Sequence, residues 1–143
     1  LLILVISLPS RAQDGRTNHE AALGQIVNTQ LAECRSMEPP LEVKADFCSE
    51  AIKSKTLNRD QIAEVLRFRG IIYLKLTQYQ KAIEDFNLSI QLSSEVGLTY
   101  YYKGLTFEAM GEDKKANGQY KNARLYSPGD PVIIQKIIDR NLN

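Results

Sequence analysis

Apolar residues between positions 66 and 90 recur at steps of three and four, which is the spacing of side chains on one face of an α-helix. Two such stripes follow one another: Leu66, Gly70 and Tyr73, then Ile83, Phe86 and Ile90. Residues 76–79 separate the stripes and are predicted to form a turn. The pattern therefore predicts a hairpin of two helices.

The same pattern returns further along the chain at one fixed offset, which we call the period. The matched pairs are Leu66 with Tyr100, Gly70 with Gly104, Tyr73 with Phe107, Ala82 with Ala116, Phe86 with Tyr120 and Ser89 with Ala123. A fixed period between about 20 and 50 residues is typical of stacked-repeat proteins. In the second unit, residues 110–113 supply the turn, where Gly111 suits a left-handed helix end. Residues 114–126 are predicted to form the second helix, which residues 127–129 end.

Gly70 and Gly104, inside the predicted first helix of each unit, indicate a close helix crossing. A glycine in a helix costs about 1 kcal/mol relative to alanine, so another requirement must favour it. We expect the second helix of each unit to cross at Gly70 and at Gly104. Ala82 would face the first glycine, with Phe86 filling the space beside it, and the second unit would repeat this arrangement.

Two stretches carry a family resemblance. RFRGIIYLKLTQYQKAIEDFNLSIQLS and YYKGLTFEAMGEDKKANGQYKNARLYSP each resemble a tetratricopeptide repeat, and the two units cover residues 63–130. The resemblance implies an all-α fold, a TPR-like α-solenoid of antiparallel helix-turn-helix repeats, with about three repeats and a C-terminal capping helix. Ser93-Ser94 stands where the family often has Asp-Pro, and Ser94 is expected to cap the next helix.

The N-terminus has the pattern of a secretory signal peptide. Residues 1–8 read LLILVISL, and this apolar run is less than half of the about 20 residues that a membrane-spanning helix needs. A small-x-small step, Ser10-Arg11-Ala12, follows Pro9. We therefore expect residues 1–12 to be a truncated signal peptide and the protein to be exported, to a bacterial periplasm or outside the cell. The alternative is a buried N-terminal strand or helix.

Residues 13–62 are predicted to form a degenerate first repeat. A shift back by one period aligns Cys48 with Ala82 and Ile52 with Phe86. An even number of cysteines in an exported chain favours a disulfide between Cys34 and Cys48. Exported bacterial proteins of the family often carry a cysteine in each part of an irregular first unit, and this pair resembles theirs. The alternative is two buried thiols in a cytosolic protein.

Residues 131–143 are predicted to form the capping helix. Asp130 suits the N-cap and Pro131 the first helical position. An apolar face is expected from Ile134, Ile137 and Ile138, and a polar outer face from Gln135, Lys136, Asp139 and Arg140. A polar outer side is what a terminal repeat needs. A helix that binds a membrane or a partner is the less favoured alternative.

Composition argues against several classes of function. With 18 Lys+Arg and 17 Asp+Glu the net charge is +1, which gives no electrostatic argument for nucleic acid or for an anionic membrane surface. We also expect no stable membrane insertion after signal removal. One His and two Cys cannot supply a usual four-ligand zinc site. The glycines are scattered and form no phosphate-binding loop. We therefore expect no enzyme activity, no cofactor and no metal.

The resemblance implies a concave groove lined by the first helix of each unit. The groove-facing positions would be Glu64, Arg67, Phe68, Ile71, Leu74, Lys75, Leu98, Tyr101, Tyr102, Leu105 and Glu108. Tyr and Arg are frequent binding anchors. The sequence thus predicts a non-enzymatic module that binds a peptide or protein of unknown identity. The alternatives are a structural, self-associating component of a cell-envelope assembly and a regulatory subunit of an enzyme.

Overall fold

The computed structural model describes residues 25, 28–29, 31–36 and 40–142. The predicted signal peptide, residues 1–12, lies outside the described residues. Residues 31–35 are helical, and six longer helices follow in the described part of the chain: α1 (Leu41–Lys53), α2 (Arg59–Lys75), α3 (Tyr79–Leu92), α4 (Gly97–Ala109), α5 (Asp113–Tyr126) and α6 (Pro131–Asp139). The described residues contain no β-strand.

Consecutive helices pack against each other in chain order. The most extensive contacts join α2 to α3 and α4 to α5, which are the two hairpins that the period predicted. Helix α3 then packs on α4, and α2 also touches α4, so the first helices of the two hairpins are neighbours. The predicted all-α helical repeat fold is confirmed.

A side-chain hydrogen-bond cap marks the start of α2 but not the start of α4. The Asn58 side chain accepts from the Gln61 amide at 2.9 Å, and the Gln61 side chain accepts from the Asn58 amide at 2.9 Å. This capping box starts α2 at Arg59, inside the segment assigned to the first repeat. The expected cap by Ser94 is wrong, because α4 begins only at Gly97 and no side chain caps it.

Four of the described helices end in the same left-handed conformation. The residue after each C-cap has a positive φ: Lys55 (58°), Thr77 (57°), Gly111 (75°) and Asn141 (54°). After α2, the Gln78 amide donates to the Tyr73 carbonyl at 2.8 Å and the Thr77 amide to the Leu74 carbonyl at 3.0 Å. This pair of bonds is the Schellman motif, and it returns after α4 and α6. The prediction for Gly111 is confirmed.

Replacing Thr77 with glycine is expected to stabilise the protein. A β-branched residue in the left-handed region costs about 1–2 kcal/mol, whereas glycine adopts it freely. We expect Thr77→Gly to raise the free energy of unfolding by about 1 kcal/mol, measured by urea denaturation. Gly111→Thr is the matched reversal, because no atom lies within 4 Å of a Cβ placed there. A loss of stability in Thr77→Gly would contradict this account.

Gly70 and Gly104 each lie where an aromatic ring crosses. A Cβ built on Gly70 would lie 2.6 Å from Phe86 Cε1, and one built on Gly104 would lie 2.5 Å from Tyr120 Cε1. Both rings are fully buried. The expected crossing points are confirmed, with one correction: the atoms nearest to each glycine belong to the ring, and not to Ala82 or its equivalent.

A buried ion pair joins the first three helices. In α2, Arg69 donates from Nε and Nη2 to both carboxylate oxygens of Asp85 in α3, at 2.8 and 2.7 Å. Its Nη1 donates to the Ser49 hydroxyl of α1 at 2.9 Å. The bidentate pair holds α2 against α3, and the hydrogen bond to Ser49 ties α1 to this hairpin.

A disulfide joins Cys34 to Cys48, so it ties helical residues 31–35 to α1. Both cysteines are buried in the N-terminal core. Non-reducing mass spectrometry should therefore show a deficit of two hydrogens. Because the bond closes a loop over a sequence separation of 14, reduction should lower the free energy of unfolding by about 3 kcal/mol. Two free thiols in purified protein would contradict the bond.

Candidate functional site

The candidate site is the face formed by α2, α4 and α6, which hold the first-helix positions of the repeats. On α2, Glu64 and Arg67 line a cleft of about 410 Å³. The other lining residues come from the ends of α2 and α3 and from the loop that leads to α4: Asn58, Asp60, Gln61, Ala63, Ser89, Ser93, Ser94 and Glu95. We call this the polar cleft, because hydroxyls, amides and charged groups dominate its lining.

Arg67 is the cation of the polar cleft. Its guanidinium lies 5.0 Å from the centre of the Phe68 ring, and it makes no ion pair with the described residues. The Glu64 carboxylate already has a partner, since Oε2 forms an ion pair with Arg35 at 2.6 Å. The cleft therefore keeps one guanidinium available for a hydrogen-bond acceptor on a partner.

The remaining α2 positions divide between the surface and the core. Phe68 packs against the N-terminal hydrophobic core, so its ring contributes to folding as well as to the face. Ile71 and Leu74 are half-buried, and Lys75 is exposed at the helix end. Of the six groove positions predicted on α2, Glu64 and Arg67 line the polar cleft.

A second cleft, of about 440 Å³, lies between α4 and α6. Its lining consists of Tyr101, Pro131, Val132, Gln135, Lys136 and Asp139, and we call it the tyrosine cleft. Tyr101 was among the groove positions predicted from the sequence, whereas the α6 residues of this cleft were not. The period could have predicted them, because α6 begins at Pro131, one period after α4 begins at Gly97. Helix α6 thus continues the series of first helices.

The three consecutive tyrosines point in different directions, as helical geometry requires. Tyr100 stacks on Tyr126 of α5 with ring centres 5.4 Å apart. Tyr101 lies 5.9 Å from the Tyr120 ring and meets Tyr102 edge to face at 5.4 Å. Burial is the main reason that the pKa of the Tyr101 hydroxyl is raised. Tyr101 therefore has its ring partly in the core and partly in the tyrosine cleft.

Two other predicted positions on α4 differ in exposure. Leu98 is exposed near the start of the helix. Leu105 is half-buried and packs against the C-terminal hydrophobic core. Leu98 is thus accessible to a partner, while Leu105 supports the hairpin.

Glu108 was predicted to line the groove, but in the structure its carboxylate binds side chains of α5 and of the α6 region. Its carboxylate accepts from the Tyr120 hydroxyl and from Lys136 Nζ at 3.2 Å, and it pairs with Arg140 at 3.1 Å. Burial alone would raise the pKa of Glu108, but these hydrogen bonds and cations outweigh burial and lower it. Burial, together with the same hydrogen bond, raises the pKa of Tyr120. Glu108 thus fastens α6 to the stack.

The predicted faces of α6 are also corrected. The isoleucines that are buried against α5 are Ile133 and Ile137. Lys136 and Arg140, expected on the outer face, instead point to Glu108 and pair with its partly buried carboxylate. The outer side instead carries exposed Ile134 and Ile138.

Acid is expected to weaken the attachment of α6. A carboxylate whose pKa is lower in the folded than in the unfolded state stabilises the fold at pH values above its ordinary pKa of 4.5. This contribution is lost as the pH falls through the pKa of the folded state. The melting temperature of the wild type should exceed that of Glu108→Gln at neutral pH. We expect the difference to shrink below pH 4.5 when circular dichroism follows both proteins. A pH-independent difference would argue against this role.

The described residues show neither a metal site nor a membrane span. Within them, no three His, Cys, Asp or Glu residues form a group that could hold a metal ion. Likewise, no helix among them is long and apolar enough to cross a membrane.

Comparison with known proteins gives matches to one repeat family. A family model described as tetratricopeptide repeat matches residues 63–95, which run through most of α2, all of α3 and the following loop. The Homo sapiens protein named Tetratricopeptide repeat protein 13 is 28% identical over 117 residues, and the match covers 73% of this chain. The chain spans 14% of the length of that relative. Tetratricopeptide repeats generally mediate protein–protein interaction and are typically not enzymes.

Proposed function

We propose that the protein is a non-enzymatic binding module whose α2–α4–α6 face takes up a segment of a peptide or protein partner. One observation carries the proposal. Arg67 and Tyr101 occupy the same position in successive repeats, and each lines a cleft on this face. Large anchoring side chains at equivalent positions of neighbouring repeats can contact one continuous partner segment.

The two clefts differ in chemistry, which suggests what the segment carries. The polar cleft offers the Arg67 guanidinium and several hydroxyls, so it suits a hydrogen-bonding group. The tyrosine cleft offers the Tyr101 ring with Pro131 and Val132, so it suits an apolar side chain. A segment with one polar and one apolar anchor fits both clefts.

We also propose that the protein acts after export. The signal-like pattern of residues 1–12 and the disulfide between Cys34 and Cys48 support this proposal, because disulfides persist in oxidising compartments. Fractionation of the source cells tests it, and a cytosolic protein with reduced cysteines would reject it.

A random peptide library displayed on phage, selected against the purified protein, tests the binding face. Calorimetry with a selected peptide should show about a thirtyfold loss of affinity in Arg67→Ala or Tyr101→Ala. Lys121→Ala is the matched control, since Lys121 is exposed on α5, a second helix. Circular dichroism confirms that each variant is folded. Selected peptides whose binding depends on Lys121 and on neither groove residue would assign binding to the opposite face.

A further inference from the structure

Cys34 and Arg35 are neighbours in the chain, and together they link the disulfide to the polar cleft. Both belong to helical residues 31–35, which we call the tethered segment. Cys34 is bonded to Cys48 of α1, while Arg35 donates from Nη2 to Glu64 Oε2 of α2 at 2.6 Å. Glu64 lines the polar cleft. A continuous set of contacts therefore runs from the disulfide to the proposed binding face.

The disulfide holds the tethered segment on α1. Isolated helices shorter than about 12–15 residues are not stable in water, so the described helical residues 31–35 need attachment to the rest of the fold. Leu31 packs against the N-terminal hydrophobic core. The ion pair joins side chains that are 43% exposed in Arg35 and 39% exposed in Glu64, and exposed pairs contribute little to stability. The position of Arg35 therefore depends on the disulfide.

Two guanidinium groups lie within reach of the Glu64 carboxylate. The guanidinium carbons of Arg35 and Arg67 lie 5.5 and 5.0 Å from the centre of the Phe68 ring, so both cations flank one ring. Glu64 and Arg67 are three residues apart on α2, and side chains at this spacing are neighbours on a helix surface. In the structure the carboxylate pairs with Arg35, and Arg67 makes no ion pair with the described residues. If Arg35 were released, the carboxylate could turn to Arg67.

We propose that the disulfide between Cys34 and Cys48 keeps Arg67 available for a partner, with Arg35 as the positioning residue. When the bond is formed, Arg35 holds the Glu64 carboxylate, and the Arg67 guanidinium stays open to a hydrogen-bond acceptor. When the cysteines are reduced, the tethered segment loosens, Glu64 pairs with Arg67, and the polar cleft loses its available cation. This regulation rests on the proposed function, because it assumes that Arg67 contacts the partner.

Oxidation of the two cysteines sets the binding state of the cleft. The two thiols give two electrons and two protons to the disulfide of an oxidising thiol–disulfide oxidoreductase, through a mixed disulfide. One S–S bond forms in this chain and one breaks in the oxidant, which leaves as a dithiol. Cys34 is 3% and Cys48 0% exposed, so folding shields the finished bond from reductants. The cleft thus becomes competent for binding in the oxidising compartment where the bond forms.

Labelling of arginines with phenylglyoxal tests the exchange of partners without any ligand, because an ion-paired guanidinium reacts more slowly than a free one. Mass spectrometry of the digested full chain gives the labelled fraction of Arg67, and Arg124, exposed on α5, is the internal reference. In Arg35→Gln the relative labelling of Arg67 should fall about twofold. Arg35→Gln/Glu64→Gln should restore it, because the competing carboxylate is gone. Arg35→Lys, which keeps the charge, should label like the wild type.

A cysteine variant tests the part played by the disulfide. Cys34→Ala/Cys48→Ala reproduces the reduced state without a reductant, and the relative labelling of Arg67 should fall as it does in Arg35→Gln. Adding Glu64→Gln should again restore the labelling. Arg35→Gln keeps the disulfide, so it provides the same test if the cysteine variant does not fold. Unchanged labelling in Arg35→Gln, or a loss that persists when Glu64→Gln is added, would overturn the proposal.

Calorimetry with the phage-selected peptide tests the effect on binding. Arg35→Gln should weaken binding about twofold in the wild-type background and have no effect in the Glu64→Gln background, while Arg124→Gln is the matched control. A peptide that needs Arg67 but binds the wild type and Arg35→Gln equally would reject the regulation and leave the proposed function intact. A peptide that does not need Arg67 would count against the proposed function, and the labelling experiment would still decide which arginine holds Glu64.

Discussion

Replacing Asp85 with alanine is expected to lower the free energy of unfolding by about 3 kcal/mol, because it leaves the Arg69 guanidinium without its carboxylate. The side chain of Asp85 is 5% exposed and that of Arg69 is 19% exposed, so water cannot replace the lost partner well. The hydrogen bond to Asp85 is also the main reason that the pKa of Arg69 is raised. Since Arg69 also binds Ser49, the variant should loosen α1 from α2.

Urea denaturation followed by circular dichroism measures the effect of Asp85→Ala. Glu50→Ala is the control, because it removes an ion pair with Lys53 that lies in solvent, and we expect no measurable change. Arg69→Met/Asp85→Leu should recover most of the loss, since an apolar pair of similar size avoids an unpaired buried charge. If Asp85→Ala were as stable as Glu50→Ala, the buried ion pair would have no structural importance.

Gly104→Leu is expected to lower the free energy of unfolding by about 3 kcal/mol, the upper end of the usual cost of overpacking. The added Cβ alone would lie 2.5 Å from the Tyr120 ring, and that ring is fully buried, so it has nowhere to move. Gly70→Leu should behave alike, since Phe86 occupies the equivalent place. Both substitutions push the two helices of a hairpin apart.

Two other glycines provide the controls for this prediction. A Cβ at Gly129 or at Gly118 meets no atom within 4 Å. Gly129→Leu should therefore change the melting temperature little. Gly118→Ala lies within α5 and should stabilise by up to about 1 kcal/mol through helix propensity. Equal melting temperatures for Gly104→Leu and Gly129→Leu would show that the helix crossing is misplaced.

The repeat fold could be predicted because its determinants are local. Apolar residues at helical spacing define the hairpin faces, and a glycine followed at the same interval by an aromatic, as in Gly70 with Phe86 and Gly104 with Tyr120, marks the crossing. The left-handed residue at Gly111 follows from the same pattern. Such features need no knowledge of contacts between distant residues.

The groove was predicted less well because accessibility depends on elements further along the chain. The period predicts Glu108 on the groove face, but Lys136, which occupies its carboxylate, lies 28 residues later. Helix α6 has only nine residues, and its closely spaced isoleucines fit more than one apolar face. Contact with α5 selects Ile133 and Ile137, which the pattern alone could not decide.

The role of Glu108 divides the proposed binding face into positions that can diverge freely and positions that cannot. A change at Glu108 would unfasten α6 and with it the tyrosine cleft, so selection for a new partner cannot use this residue without losing part of the face. Arg67 and Leu98 have no comparable structural contacts among the described residues, so substitutions there should cost the fold little and, if the proposed function holds, would change recognition. Specificity in descendants of this chain should therefore evolve first through these two positions, while Glu108, Lys136 and Arg140 change together or remain fixed.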